Sequence, residues 1–430
     1  MKNQNINLRL ILMLFLEFAV WGAYLTSMGS FLARIGLDQK ISIFYAMQGI
    51  VSIFMPALIG IIADKWIPAQ KTLSLCHLVA GLSMAGAGFY AMNTGENLQF
   101  GPLFALYSVS VAFFMPTIAI SNSVAYSALE GCGKDPVKDF PRLRIFGTIG
   151  FICAMYFVNF MRNGSGLQYQ NSHEQFIVSG ALSLLLAAYS LTMPNCPCKP
   201  KGEGAQSFAE ATGLSAFKLF KQGQFAIFFI FSMLLGASLQ ITNGYANTFI
   251  NSFAGVPEFA SSWGANNANV IISIGQISET ICILLIPFFM KRFGIKKVML
   301  LAMLAWVFRF GFFGLGNPGA GVWLFILSGI VYGVAFDFFN VSGSLYINEN
   351  TDNGIRSSAQ GLFMLMTNGL GATIGTLAAG KVINALVYAP QAAGAAGNWQ
   401  MAWYIFAGYA LVVAVLFAIL FKDPQKAKKA

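Results

Sequence analysis

The chain is poor in charge and nearly devoid of histidine. Asp, Glu, Lys and Arg make up 10% of its 430 residues, and there are two His. Soluble domains carry about 25% charged residues, so a soluble enzyme is excluded. The six cysteines (Cys76, Cys132, Cys153, Cys196, Cys198 and Cys282) are scattered. Cys196 and Cys198 form a Cys-Pro-Cys, but a structural zinc wants about four ligands. The two histidines, His77 and His173, are both distant in sequence. Neither a metal site nor a disulfide framework is implied. The P-loop pattern is missing, as are His-Glu-x-x-His and Gly-x-Ser-x-Gly, so ATP hydrolysis and the common hydrolytic chemistries have no carrier. No cofactor is expected, and any driving force must come from an ion gradient. The net charge of +10 does not point to nucleic acid. The basic residues sit in short loops, with no basic stripe interleaved with surface aromatics.

What is abundant is apolar sequence, with 57% hydrophobic residues and a mean hydropathy of +0.65. Twelve apolar runs are readable: 8–33, 41–63, 71–92, 101–127, 144–161, 174–193, 224–250, 265–290, 297–315, 322–347, 355–387 and 400–421. About 20 apolar residues cross a bilayer as a helix. The first run is too long for a signal peptide and is expected to stay as a span. The longest gap, 194–223, is polar and then weakly amphipathic (SAFKLFKQ). The expected organisation is all-α and integral to the membrane. An N-terminal bundle of six helices (1–193) and a C-terminal one (224–430) are joined by a linker, 194–223. Spans four and ten share an Ala-Phe step (Ala112-Phe113, Ala335-Phe336), and spans five and eleven open on Arg144 and Arg356. That is compatible with a duplicated, pseudo-symmetric unit. Most of the 26 Lys and Arg fall in alternate loops and at both ends, which predicts cytoplasmic termini.

Polar residues inside the spans carry the functional signal. Asp337 lies mid-span in VYGVAFDFFNVSGS (331–344). An acid there costs roughly 2.5–3.5 kcal/mol on insertion scales, so it needs a partner, a proton or a watery cavity. Tyr332 and Phe336 share one face, and Asn340 adds an amide three residues after the acid. Aromatic wall, acid and amide together suit a flat, hydrogen-bonding ligand. Arg144, Thr148 and Phe151 form one stripe at i, i+4, i+7; a snorkelling Arg is the alternative. Glycines 147 and 150 allow a close helix approach. Gln240 and Asn243 are three apart, as are Gln276 and Glu279. Amides bridging helices, and a Glu279–Arg309 pair, are the structural alternatives. Glu17 is a third membrane acid, open to a structural or a coupling role. Arg309 reads as a structural charge partner and Lys381 as a snorkelling residue. Gly60, Asp64 and Lys65 form a Gly-x-x-x-Asp-Lys pattern at the end of span two, suited to gating.

With these residues in view, the chain resembles the nucleoside:proton symporter family of the major facilitator superfamily. The resemblance rests on FMPALIGIIADKW (54–66), DFPRLRIFGTIGF (139–151), AIFFIFSMLLGASLQITN (226–243), SIGQISET (273–280), YGVAFDFFNVSGS (332–344) and SAQGLFMLMTNGLG (358–371). It implies the major facilitator fold, with two six-helix halves rocking about a central site, and import of nucleosides with protons by a multi-pass bacterial inner-membrane protein. It also implies substrate contacts at Arg144, Thr148, Phe151, Gln240, Asn243, Gln276, Glu279, Tyr332, Phe336 and Asp337. Proton coupling is expected from Asp337, Glu279 or Glu17. Two positions depart from a family pattern: Ser238 replaces an acid and Glu17 replaces a Gln. Uridine, adenosine and their relatives, protons and the bilayer are the expected partners, and one chain suffices for the fold. A proton-coupled sugar porter is the alternative within transport. An integral membrane enzyme acting on lipids is the distant one, and it lacks a nucleophile, metal or His base.

Overall fold

Backbone polar groups in a bilayer must be satisfied within the segment, so apolar runs of this length fold as helices. The computed structural model describes residues 5–198 and 214–422. Lys2, Lys199, Lys201, Lys426, Lys428 and Lys429 of the charge pattern lie outside the described residues, as does most of the polar part of the 194–223 linker.

The chain divides into two units, Met1–Leu37 with Ile50–Phe208, and Asp38–Gly49 with Ala209–Ala430. The first unit is built from α1 (Ile6–Gly22), α2 (Met28–Arg34), the later part of α3 (Ile41–Lys65), α4 (Ala69–Thr94), α5 (Phe100–Phe114), α6 (Thr117–Glu130), α7 (Pro136–Phe160) and α8 (Glu174–Ser190). Span four is broken between α5 and α6 at Pro116, which has no N–H to donate and sits where the ladder is interrupted. The core of this unit gathers Leu10, Leu14, Leu73, Val124, Leu129 and Leu186. Gly22 and Gly150 bring α1 and α7 into backbone contact. A Cβ at Gly150 would lie 2.1 Å from the Phe15 carbonyl oxygen, and one at Gly22 2.3 Å from that of Phe151.

The second unit contains α9 (Gly223–Ser252), α10 (Ala268–Leu315), α11 (Val322–Asn350), α12 (Asn353–Met364), α13 (Ala372–Ile383) and α14 (Trp399–Leu420). α10 covers two expected spans. Gly294, with φ 75° and ψ 170°, turns the chain between them, a conformation open to glycine and strained for other residues. Span eleven is not a uniform α-helix. Leu365–Gly371 and Asn384–Tyr388 are π-helical on either side of α13, a widening often found at functional sites. α9 packs on this span through small residues: a Cβ at Gly236 would lie 2.1 Å from the Thr367 carbonyl oxygen. α10 and α11 approach as closely, a Cβ at Gly333 meeting the Ser278 backbone at 2.6 Å. The start of α3 belongs here too, with Ser42 lying under Gly380.

Candidate functional site

In the second unit the α10–α11 contact sets the geometry. Because Gly275, Gly329 and Gly333 carry no side chain, α10 and α11 come together in the stretches that carry Gln276 and Glu279 on one helix and Tyr332 and Asp337 on the other. A Cβ at Gly275 would already touch the Tyr332 ring at 2.9 Å. Tyr332 and Phe336 stack nearly parallel, 5.9 Å between centroids at 5°. Trp306 meets Tyr332 edge-on at 6.0 Å. Asp337 is 4% exposed, and Glu279 lies close enough to act on it electrostatically.

Two buried oxygens in this cluster have no hydrogen-bond partner among the described residues, Asp337 Oδ2 and Gln276 Oε1. Buried polar atoms are almost always satisfied, so these two oxygens, near an aromatic pair, are open to a hydrogen-bond donor. On α9, the Asn243 amide donates to Gln240 Oε1 at 3.3 Å, which joins the two amides the spacing had placed on one face.

Asn340, three residues after Asp337, donates an amide hydrogen to the Phe336 carbonyl one turn back, at 2.9 Å. One expectation is corrected: Arg309 is not a carboxylate's partner among the described residues. Its guanidinium donates to the Ser328 carbonyl at 2.7 Å and lies 4.4 Å from the Tyr332 ring centre and 5.3 Å from that of Phe313. A buried guanidinium has weak hydration to lose and a flat face to stack, so aromatic rings hold it where an acid was expected.

In the first unit, Arg144, Thr148 and Phe151 lie on α7. Arg144 stacks over Phe18, 3.8 Å from guanidinium carbon to ring centre. Thr148 is half-buried, and Phe151 meets Trp21 edge-on at 6.3 Å and 89°. Gly60, Asp64 and Lys65 end α3. Lys65 is exposed and Asp64 half-buried, and a Cβ at Gly60 would meet nothing within 4 Å.

Glu17 on α1 has surroundings the sequence reading missed. It is fully buried, with His77 Nε2 2.8 Å from its Oε2 and the Thr117 hydroxyl 2.6 Å from its Oε1. Behind the imidazole, Ser183 Oγ lies 3.0 Å from Nδ1. His77 had been weighed only as a metal ligand. The available signal was a lone His within an apolar span of a chain that also carries an unexplained membrane acid.

The comparisons with known proteins agree with this chemistry. The chain matches the family described as Nucleoside H+ symporter over residues 4–426. It is 45% identical to the xanthosine permease of Escherichia coli over 99% of this chain and 98% of that protein. It is 44% identical to the nucleoside permease NupG of the same organism, over 97% and 96%. A crystal structure of nucleoside transporter NupG superposes with a TM-score of 0.87 at 42% identity, covering 97% of this chain and all of that one. A D-xylose-proton symporter shares the fold alone, with a TM-score of 0.67 at 15% identity over 97% and 98% of the two chains. The sugar-porter alternative therefore has a common architecture behind it, but not the sequence that the nucleoside permeases share. The chain belongs to the nucleoside H+ symporter family: it is a multi-pass membrane transporter of the major facilitator fold, not an enzyme, and it imports nucleosides together with protons.

Proposed function

We propose that Gln240, Asn243, Gln276, Glu279, Tyr332, Phe336 and Asp337 of the second unit bind the nucleoside, and that Arg144, Thr148 and Phe151 of the first unit supply substrate contacts of their own. The observation that carries this reading is the pair of uncommitted oxygens, Asp337 Oδ2 and Gln276 Oε1, beside the Tyr332–Phe336 stack. An amide offers both donor and acceptor edges, so Gln240, Asn243 and Gln276 suit the mixed edges of a base. Carboxylates accept from ribose hydroxyls. The parallel rings of Tyr332 and Phe336 suit the face of a base. Asp337 and Glu279, two interacting acids within the membrane, are the groups that take up and release the coupled proton, since two neighbouring carboxylates resist both being charged. Gly60, Asp64 and Lys65 act in gating rather than in substrate contact.

The two bundles, 1–193 and 224–430, are the functional halves, joined by 194–223. Both termini face the cytoplasm of a bacterial cell, following the loop positions of Lys and Arg, and the working unit is one chain. The test is uptake of a nucleoside panel into proteoliposomes under an imposed inward pH gradient. Labelled uridine uptake is expected to be blocked by adenosine or xanthosine and untouched by free ribose or hexoses. Competition by hexoses instead would return the sugar-porter reading.

A further inference from the structure

Glu17 and His77 are both entirely buried, inside a bundle that spans a membrane, and nothing in the substrate site uses them. A structural contact at that depth could be made by apolar side chains at lower cost. The hydrogen-bond pattern says what the pair holds. The Ser183 hydroxyl donates to the His77 carbonyl at 2.9 Å. A hydroxyl has one hydrogen, so the 3.0 Å contact between Ser183 Oγ and His77 Nδ1 takes its hydrogen from the ring. The 2.8 Å contact between Nε2 and Glu17 Oε2 then needs a hydrogen of its own. The Thr117 hydroxyl lies 2.6 Å from both Glu17 Oε1 and the Phe114 carbonyl; with its hydrogen on the carboxylate, the pair carries one proton more than a carboxylate beside a neutral imidazole. With that proton gone, the ring has one N–H for two contacts. Either one contact opens, or Ser183 must turn its hydroxyl away from the carbonyl to serve Nδ1.

The other ionisable groups facing Glu17 are few among the described residues. Cys76, beside His77 on α4, lies within electrostatic reach of Glu17. Thr117 on α6 and Ser183 on α8 contribute hydroxyls. From α7, Arg144 covers the ring of the adjacent Phe18. A narrow seam, too tight for a water molecule in this conformation, runs past Phe114 and Ser183 and is lined by Val20, Tyr24, Met84, Ser110 and Ser179. Val20 and Tyr24 follow Glu17, Met84 follows His77, and Ser110 and Ser179 precede Thr117 and Ser183, so each lies toward the end of the unit that bears the loops at 95–99 and 161–173. The seam therefore points from the pair toward one face of the membrane.

We propose that Glu17 and His77 form a second proton-binding site of this transporter, on the first unit, reached along that seam. Loaded, the pair is net neutral and can be sealed among apolar helices. Unloaded, it carries a negative charge that a closed bundle tolerates poorly. Proton occupancy then favours the closed packing of α1, α4, α6 and α8, and proton release favours its opening. This rests on the proton-symport reading, but not on Asp337 or Glu279.

The experiment is the double variant Glu17→Gln, His77→Gln, whose amides still bond each other but carry no exchangeable charge. Two readouts are made in the same proteoliposomes: nucleoside counterflow without a gradient, and accumulation driven by an inward pH gradient, with the protons moved per nucleoside. The expected result is counterflow near the wild-type level, a several-fold lower gradient-driven accumulation and fewer protons moved per nucleoside. Unchanged accumulation overturns the proposal. So does a parallel loss of counterflow and accumulation, which would make the pair a staple of the fold. If Asp337→Asn alone keeps its gradient response, the assignment of Asp337 fails while the result for Glu17 and His77 stands.

Discussion

The Arg309 guanidinium carbon lies over the Tyr332 ring, 4.4 Å from its centre, while Phe336 stacks on the same tyrosine one turn along α11. A charge 4% exposed, with no carboxylate against it among the described residues, is thus spent on orienting an aromatic wall. Its hydrogen bond to the Ser328 carbonyl and the return bond from the Ser328 hydroxyl to the Arg309 carbonyl at 3.1 Å lock α10 to α11 at this level. Arg309→Lys keeps the charge and discards the flat face. A desolvated cation–π contact is worth about 2 kcal/mol or more, so the variant is expected to bind nucleoside roughly tenfold or more weakly and to melt at a lower temperature. Binding titration and thermal unfolding in detergent check this.

Asp337→Asn leaves the volume and removes the titration. The expected outcome is nucleoside exchange that persists in counterflow, with no accumulation driven by a pH gradient. Full gradient-driven accumulation in this variant would remove Asp337 from the coupling.

Phe336→Ala removes one of the two stacked rings. Base–aromatic stacking is worth about 1–3 kcal/mol by alanine substitution, so nucleoside affinity should fall by roughly 5- to 150-fold. Phe336→Tyr should retain most of it. Equilibrium binding of the two variants, compared with wild type, decides.

Gly236→Ala and Gly60→Ala make a matched pair. The first forces a Cβ to within 2.1 Å of the Thr367 carbonyl oxygen, and the second meets nothing within 4 Å. Overpacking costs about 1–3 kcal/mol, so Gly236→Ala is expected to lose stability and transport by prising α9 from the π-helical turn. Gly60→Ala should leave folding intact. A lowered transport rate with unchanged binding in Gly60→Ala would then report gating.

Outside the spans, burial pushes the Cys196 thiol up to about 11. The thiolate is the reactive form, so Cys196 should resist maleimide at neutral pH, and its labelling should rise with each unit of pH toward that value. Mass spectrometry of protein labelled in detergent at pH 7 and at pH 9 would show it. Rapid labelling of Cys196 at pH 7 would contradict the buried loop packing, in which its backbone N–H donates to Gln70 Oε1 at 2.9 Å.

Helix placement was readable in the residue string because a bilayer leaves the backbone one solution wherever twenty apolar residues run together. Local exceptions were not readable. The break at Pro116 was foreseeable from one residue, whereas the π-helical turn at Leu365–Gly371 lies where α9 packs closely on that span. The same division holds for the chemistry. Asp337, Glu279, Gln276 and the aromatic pair announced themselves by being costly in lipid or by sharing a helical face. Spacing along one helix says nothing about the neighbour across from it. So Arg309 was assigned an acid, and that assignment failed.

Composition and spacing by themselves determined the class of protein and its helical character, and singled out the polar residues within the spans, because lipid penalises any polar group that lacks a reason to be there. Only tertiary packing decided which groups meet. Glu17 and His77 are 60 residues apart on helices that carry no mark of each other, and their contact comes from the way α1, α4, α6 and α8 close around it.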